Sequence, residues 1–204
     1  MRIVLASGSA SRKSILKSAG VIPVIHPATA VDEEALIAGL ADADSATVVA
    51  ELAAAKVSEV APLHPDDVVI GADSMLLIDG TLQGKPHTEE RTIARWQQQR
   101  GKAAKLITGH HIVSPRGSYA EVASTIVEFA PDIPDADIRA YAATGEPLAC
   151  AGAFTLEALG GWFIDRIVGD PSNVIGLSLP VVRRALYHFG YDVHHFWSDT
   201  FNQR

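Results

Sequence analysis

The sequence predicts a mixed α/β chain, and two patterns carry that expectation. In the N-terminal half, short apolar runs such as Ile3-Val4-Leu5 and Val68-Val69-Ile70 alternate with helical patterns that open on hydroxyl or acidic residues. Further on, two alternating or β-branched runs, residues 105–113 and 119–129, flank Pro115-Arg116-Gly117 and read as an antiparallel hairpin. The 204 residues suit one domain, 1–204, and suffice to bury a substantial core.

Taken in order, the strand 3–5 runs into a loop of small and hydroxyl residues, 6–11, where backbone can approach a ligand and Ser9 or Ser11 can cap the next helix. Free amide N–H groups at that helix start favour an anion, while Arg12 and Lys13 put cations where they oppose the helix dipole. Either an anion sits between them and the loop, or this is a solvated basic turn. The helix closes near Ala19-Gly20, and residues 22–25 form a second strand with Pro23 at an edge. Val31-Asp32-Glu33-Glu34 then precedes a helical pattern, 35–40; its acids serve a helix N-terminus, or Glu33 is a metal-binding carboxylate.

Ser45 caps an alanine-rich helix, 46–60, whose one cation, Lys56, is expected in solvent. Pro62 and Pro65 end that segment. The apolar run 68–70 then delivers Asp73 at a strand end, with Gly71 and Ala72 leaving room around the carboxylate for a ligand. Residues 75–78 meet Asp79-Gly80, a two-residue hairpin signal, and the return arm reaches the tight turn Gly84-Lys85-Pro86, which fixes the direction of Lys85.

Thr88 caps a helix to about Arg100-Gly101 whose charged, glutamine-rich face is expected in solvent. His110-His111 alternate across a strand and cannot share a metal; the same objection meets His194-His195 on an expected last strand, 191–196. Asp135 caps a helix, 136–143, closed by Gly145. Ala151-Gly152-Ala153-Phe154 and Gly160-Gly161-Trp162-Phe163 enclose Glu157; their glycines are loop punctuation or let backbone approach a planar ligand. Residues 169–173 read as a turn, and Pro180 opens a helix, 181–189, ended by Gly190.

Composition narrows the function. A chain 48% hydrophobic and 20% charged belongs with soluble globular proteins. A net charge of −7 argues against nucleic-acid polymers, so a polyanionic ligand must be small and held by a local cluster of cations. The single cysteine, Cys150, excludes an internal disulfide framework and a cysteine-rich metal centre, and reads as a small buried thiol. No apolar stretch approaches membrane-spanning length and no signal peptide is visible, so no membrane partner and a cytoplasmic, reducing location are expected. No Walker loop, Gly-x-Ser-x-Gly elbow or His-Glu-x-x-His helix occurs. What remains is a pair of carboxylates, Glu33 and Asp73, able to hold a divalent metal, with Arg12, Lys13, Lys56 and Lys85 for several phosphates. That set suits phosphate-anhydride chemistry.

Leu5-Ala6-Ser7-Gly8-Ser9 leading to Arg12, Val31-Asp32-Glu33, Ala55-Lys56, Gly71-Ala72-Asp73, Gly84-Lys85-Pro86, Thr108-Gly109, Ala151-Gly152-Ala153-Phe154 and Ser172-Asn173-Val174-Ile175-Gly176-Leu177 occur in one order. In this the sequence resembles the Maf-like nucleotide pyrophosphatases, from residue 3 to about residue 190. The resemblance implies a single domain with a mixed sheet, flanking helices and two lobes around a central cleft, like the fold of inosine triphosphatases, usually as a homodimer. It implies hydrolysis of a nucleoside triphosphate to monophosphate and pyrophosphate with a divalent cation, magnesium or manganese. Non-standard or modified nucleotides are the implied targets. By analogy Asp73 accepts a proton from the attacking water, Glu33 is its metal-binding companion, and Ser7, Ser9, Arg12, Lys56 and Lys85 hold the triphosphate. Ala10 and Ser11 replace the family's Pro-Arg, a contact that Lys13 can supply, and Ala104 stands where many members have histidine. Glu157 stands where members acting on dTTP and UTP have glutamine, and its segment resembles the 7-methyl-GTP subgroup. A carboxylate matches the adjacent N–H donors of a guanine edge, and Trp162 can stack on a cationic base. A different class, a nucleotide-binding regulator of division or septum formation with little turnover, needs the phosphate cluster but not both acids.

Overall fold

The computed structural model describes residues 1–198. Seven strands, β1 (Ile3–Leu5), β2 (Val24–Ile25), β3 (Val68–Ile78), β4 (Thr81–Gln83), β5 (Ala103–Ser114), β6 (Gly117–Phe129) and β7 (Ile164–Val168), form one sheet. Its order is β2-β1-β3-β5-β6-β7, with β4 paired to β3. The sheet is mixed: β1 lies parallel to β2 and β3, while β4 on β3 and β7 on β6 are antiparallel. The helices are α1 (Ala10–Ser18), α2 (Glu33–Gly39), α3 (Ser45–Val60), α4 (Glu89–Gln99), α5 (Asp135–Ala143), α6 (Pro171–Ile175) and α7 (Leu179–His188). The expected α/β class is therefore the one observed.

The chain divides into two compact units. Among the described residues, 1–73, 108–123 and 176–198 make the first; residues 74–107 and 124–175 make the second. In the first, Val4 and Val69 of the parallel strands and Ala6, just past β1, pack on Val57 and Val60 of α3. Gly71 and Gly109 make this close. A Cβ on Gly71 would meet the Ala53 carbonyl at 2.5 Å, and one on Gly109 would strike the Val49 carbonyl, so α3 lies directly on the strand backbones. In the second unit Trp96 is fully buried, with edge-on contacts to Phe129, Tyr141 and Phe163 at centroid distances of 5.4, 5.6 and 5.5 Å.

Several local expectations shift. Asp44, not Ser45, caps α3 by accepting the Thr47 N–H at 2.7 Å, because the helix starts one residue earlier than expected. Pro134 occupies the cap of α5, and Asp135, its first residue, instead bonds Arg100 at 2.8 Å. Gln99, expected in solvent, is fully buried and donates to the Gly152 carbonyl at 2.8 Å. The segment 169–173 is a turn only at its start; Asp170 accepts the Ser172 N–H and hydroxyl at 2.9 and 2.7 Å, and the short α6 follows. β7 was not expected at all. It is a half-exposed edge strand whose Ile164 and Ile167 face the core, and a register shift at Glu128/Phe129 breaks the period-two pattern. The expected last strand, 191–196, is instead a 3-10 turn, Val193–Phe196. The strand objection to His194-His195 therefore lapses, and Asp192, His194 and His195 bring donor atoms within 4.8 Å of one another at the surface. Among the described residues no helix is long and apolar enough to cross a membrane.

Candidate active site

The first unit assembles its polar centre from four elements. The Ser9 hydroxyl caps α1 by accepting the Arg12 N–H at 3.4 Å, so Ser9 rather than Ser11 is the cap. The first turn of α1 then turns Arg12 inward, where it is buried while Lys13 stays exposed. The Arg12 guanidinium donates to the Ser7 hydroxyl at 3.1 Å and to the Gly176 carbonyl at 2.7 Å. Ser7 also accepts the Ser9 N–H at 3.2 Å, which folds the loop back upon itself. Burial lowers the Arg12 pKa from its ordinary value, and the charges of Asp73 and Glu33 oppose that shift.

Asp73 lies within β3, not at a strand end as expected: the strand continues through Ile78, and Asp73 is buried at 8% exposure. The contact of Gly71 with Ala53 and Val57 explains what it meets there. Lys56 sits between those two residues on α3, so its ammonium reaches the strand. The expectation of a solvated lysine is wrong. Lys56 is 6% exposed, with Nζ at 2.5 Å from Asp73 Oδ1 and 2.9 Å from Glu33 Oε1. Glu33 reaches it from the first turn of α2, where Asp32 caps the helix by accepting the Ala35 N–H at 2.9 Å. Within that acidic run Asp32 and Glu34 serve the helix terminus, and Glu33 joins the ion pair.

Two carboxylates converging on one buried cation-sized centre have the donor chemistry of a hard divalent ion, which takes oxygen ligands. Glu33 and Asp73 could hold such an ion, at the point where the Lys56 ammonium now sits. His110, one residue past Gly109 on β5, was missed as a contributor. Its Nε2 accepts the Ser178 N–H at 2.9 Å at the start of α7, and burial, then the Arg12 charge, push its pKa down to about 4. It is a neutral imidazole tying α7 to the strand. The signal available in sequence was its alternation with the half-exposed His111.

Lys85 and Glu157 belong to the second unit and are both exposed. The turn carrying Lys85 is stitched to the segment 148–152: the His87 N–H donates to the Leu148 carbonyl at 3.0 Å, and the Gly152 N–H to the Gly84 carbonyl at 3.2 Å. Cys150 lies in that segment. Its thiol is raised to about 11, by burial first and then by the Glu157 and Glu146 charges, with Lys85 opposing them. Lys85 and Glu157 thus act on one neighbourhood of the second unit, and Cys150, expected as a buried thiol, is half-buried there. The glycines around Glu157 serve close backbone packing: a Cβ on Gly152 would meet Leu76 at 2.8 Å, and one on Gly161 the Leu156 carbonyl at 2.6 Å. Trp162 is 84% exposed.

Comparison with known proteins covers nearly the whole chain. The sequence pattern of the family described as Maf-like protein matches residues 2–189. A Corynebacterium diphtheriae protein named nucleoside triphosphate pyrophosphatase is 64% identical over 200 residues, covering 98% of this chain and 100% of its own. Proteins of the same name from Corynebacterium glutamicum strain R and Rhodococcus jostii are 62% and 51% identical, each over 97% of this chain and over 100% and 96% of their own. The chain belongs to the Maf-like protein family.

Proposed function

We propose that this protein is a nucleoside triphosphate pyrophosphatase, a hydrolase that releases nucleoside monophosphate and pyrophosphate with a divalent metal. The observation that carries the reading is the convergence of Glu33, Lys56 and Asp73 on one point, with Arg12 buried nearby and electrostatically coupled to both acids. The names of the full-length relatives support the same reaction.

In this reading Ser7, Ser9 and Arg12 form the phosphate end of the site, with Lys13 at its exposed rim, and Lys56 and Lys85 neutralise further phosphate charge. Asp73 accepts the proton of the attacking water, and Lys56 holds its carboxylate in direction. Glu33 and Asp73 would hold magnesium or manganese, which would supply phosphate charge neutralisation and a more acidic water. The α–β phosphate anhydride breaks, and pyrophosphate leaves with the bridging oxygen. Glu157 accepts the paired N–H donors of a guanine edge and Trp162 stacks on the base, so guanine-type nucleotides, including 7-methyl-GTP, are preferred. Clearing modified nucleotides is the corresponding cellular role, in the cytoplasm and as a homodimer. The test is pyrophosphate release across a purine and pyrimidine panel with magnesium or manganese, for wild type and Glu157→Gln. The reading expects turnover that requires metal and a preference that moves toward pyrimidines in the variant. No release from any nucleotide would favour a nucleotide-binding regulator, and an unchanged preference would remove Glu157 from base recognition.

A further inference from the structure

Glu146 is a residue to which the motifs assign no role, yet its carboxylate gathers more donors than any other acid of the second unit described above. The Thr155 hydroxyl makes a short hydrogen bond to Oε1, which also accepts from the Tyr141 hydroxyl at 3.1 Å and the Gly160 N–H at 3.2 Å; Oε2 accepts the Leu159 N–H at 3.3 Å. These donors lie on both sides of Glu157, at positions 155 and 159–160. Burial pushes the Glu146 pKa up, but the bonds from Thr155, Gly160, Leu159 and Tyr141 outweigh it and leave the group below its ordinary value, an ionised acceptor at neutral pH. Tyr141 completes the ring by accepting the Thr155 N–H at 3.2 Å, and its own ring is packed against the buried Trp96. Gly160 is needed because a Cβ there would strike the Thr155 carbonyl and lie 2.6 Å from the Tyr141 hydroxyl.

We infer that Glu146 is a positioning residue for nucleotide selectivity: its carboxylate closes the loop 155–160 at both ends and so fixes the direction in which the exposed Glu157 presents its acceptors. The inference rests on the reading of Glu157 as the base-recognition residue. Glu146 does not touch the nucleotide; it acts through the loop. A glutamine at 146 keeps three acceptor contacts at one oxygen but turns an NH₂ group toward the Leu159 N–H, which opens one end of the loop. The bond from Thr155 can be removed separately with Thr155→Val.

The experiment measures kcat and KM for 7-methyl-GTP, GTP, UTP and dTTP with wild type, Glu146→Gln, Thr155→Val, Glu157→Gln and the 146/157 double variant. In Glu146→Gln, KM for the preferred nucleotide rises and the guanine-over-pyrimidine ratio of kcat/KM falls about tenfold, while kcat at saturation stays within about threefold. Thr155→Val moves the ratio the same way by less, and serves alone if Glu146→Gln does not fold. In the double variant the second substitution adds little, since both act through one contact. A ratio unchanged in Glu146→Gln and Thr155→Val while Glu157→Gln shifts it overturns the positioning role alone. An unchanged ratio in Glu157→Gln overturns the Glu157 reading and this inference with it. Equal loss for all four nucleotides, or fully additive effects in the double variant, assigns Glu146 a merely structural role.

Discussion

Replacing Lys56 by methionine removes a charge while keeping most of the side-chain volume on α3. Asp73 would then remain 8% exposed within β3 without the ammonium 2.5 Å away. Breaking a buried ion pair by removing one partner costs about 3–5 kcal/mol. Two features place this case at the lower end. The Arg12 guanidinium still acts on Asp73, and Glu33, with 41% of its side chain exposed, regains water once released. A loss of about 3 kcal/mol corresponds to a fall in Tm of about 6–12 °C, at about 2–4 °C per kcal/mol for a chain of this size. Thermal unfolding of Lys56→Met and Glu33→Gln in metal-free buffer provides the assay, and Glu33→Gln is expected to cost less than about 1 kcal/mol because its pair is half-exposed. Added magnesium should raise the Tm of Lys56→Met more than that of wild type, since no ammonium then competes for the two carboxylates. A Lys56→Met protein melting within about 1 °C of wild type, or no less stable than Glu33→Gln, would mean that the ammonium does not stabilise the buried Asp73 carboxylate.

Three further outcomes are expected. His110 binds its proton near pH 4 when folded and near 6.5 when unfolded, so stability is full above pH 6.5 and falls by about 3 kcal/mol between 6.5 and 4 as the unfolded chain protonates first; His110→Gln, which keeps an acceptor for the Ser178 N–H, should flatten that limb in urea titrations at successive pH values. Cys150, with a thiol near 11, should be alkylated by iodoacetamide far more slowly at pH 7.5 than a free thiol, and should speed up in urea. Gly109→Ala drives a Cβ into the Val49 carbonyl and should lower stability by about 1–3 kcal/mol, read as a lower urea midpoint at unchanged slope.

The elements that could be read in the sequence are those whose determinants are local. Ser9, Asp32 and Thr88 each take the N–H three residues on, and Asp79-Gly80 carries the positive φ values, 49° and 76°, that a two-residue hairpin demands. What could not be read depends on partners distant in the chain. Asp73 looked like a strand end because Gly71, Ala72 and Ser74 interrupt the apolar run, whereas pairing elsewhere in the sheet carries β3 on to Ile78. Lys56 has no local mark of burial; its fate is set by Gly71, fifteen residues ahead, which lets α3 descend onto the strand. Glu146 was passed over because its donors come from three later residues and from Tyr141. The cation-centred group of Glu33, Lys56 and Asp73 follows the order of the sequence motifs, but only the fold shows that one ammonium touches both acids.

Whether Asp73 and its partners hydrolyse a phosphate anhydride or only sense a nucleotide is decided by single-turnover pyrophosphate release from wild type and Asp73→Asn at saturating nucleotide and magnesium. With Asp73 as the base, wild type releases pyrophosphate and monophosphate in equal amounts, and the variant, expected still to bind nucleotide through Arg12 and the lysines, does so at a rate at least about a hundredfold lower. Full activity in Asp73→Asn would contradict it.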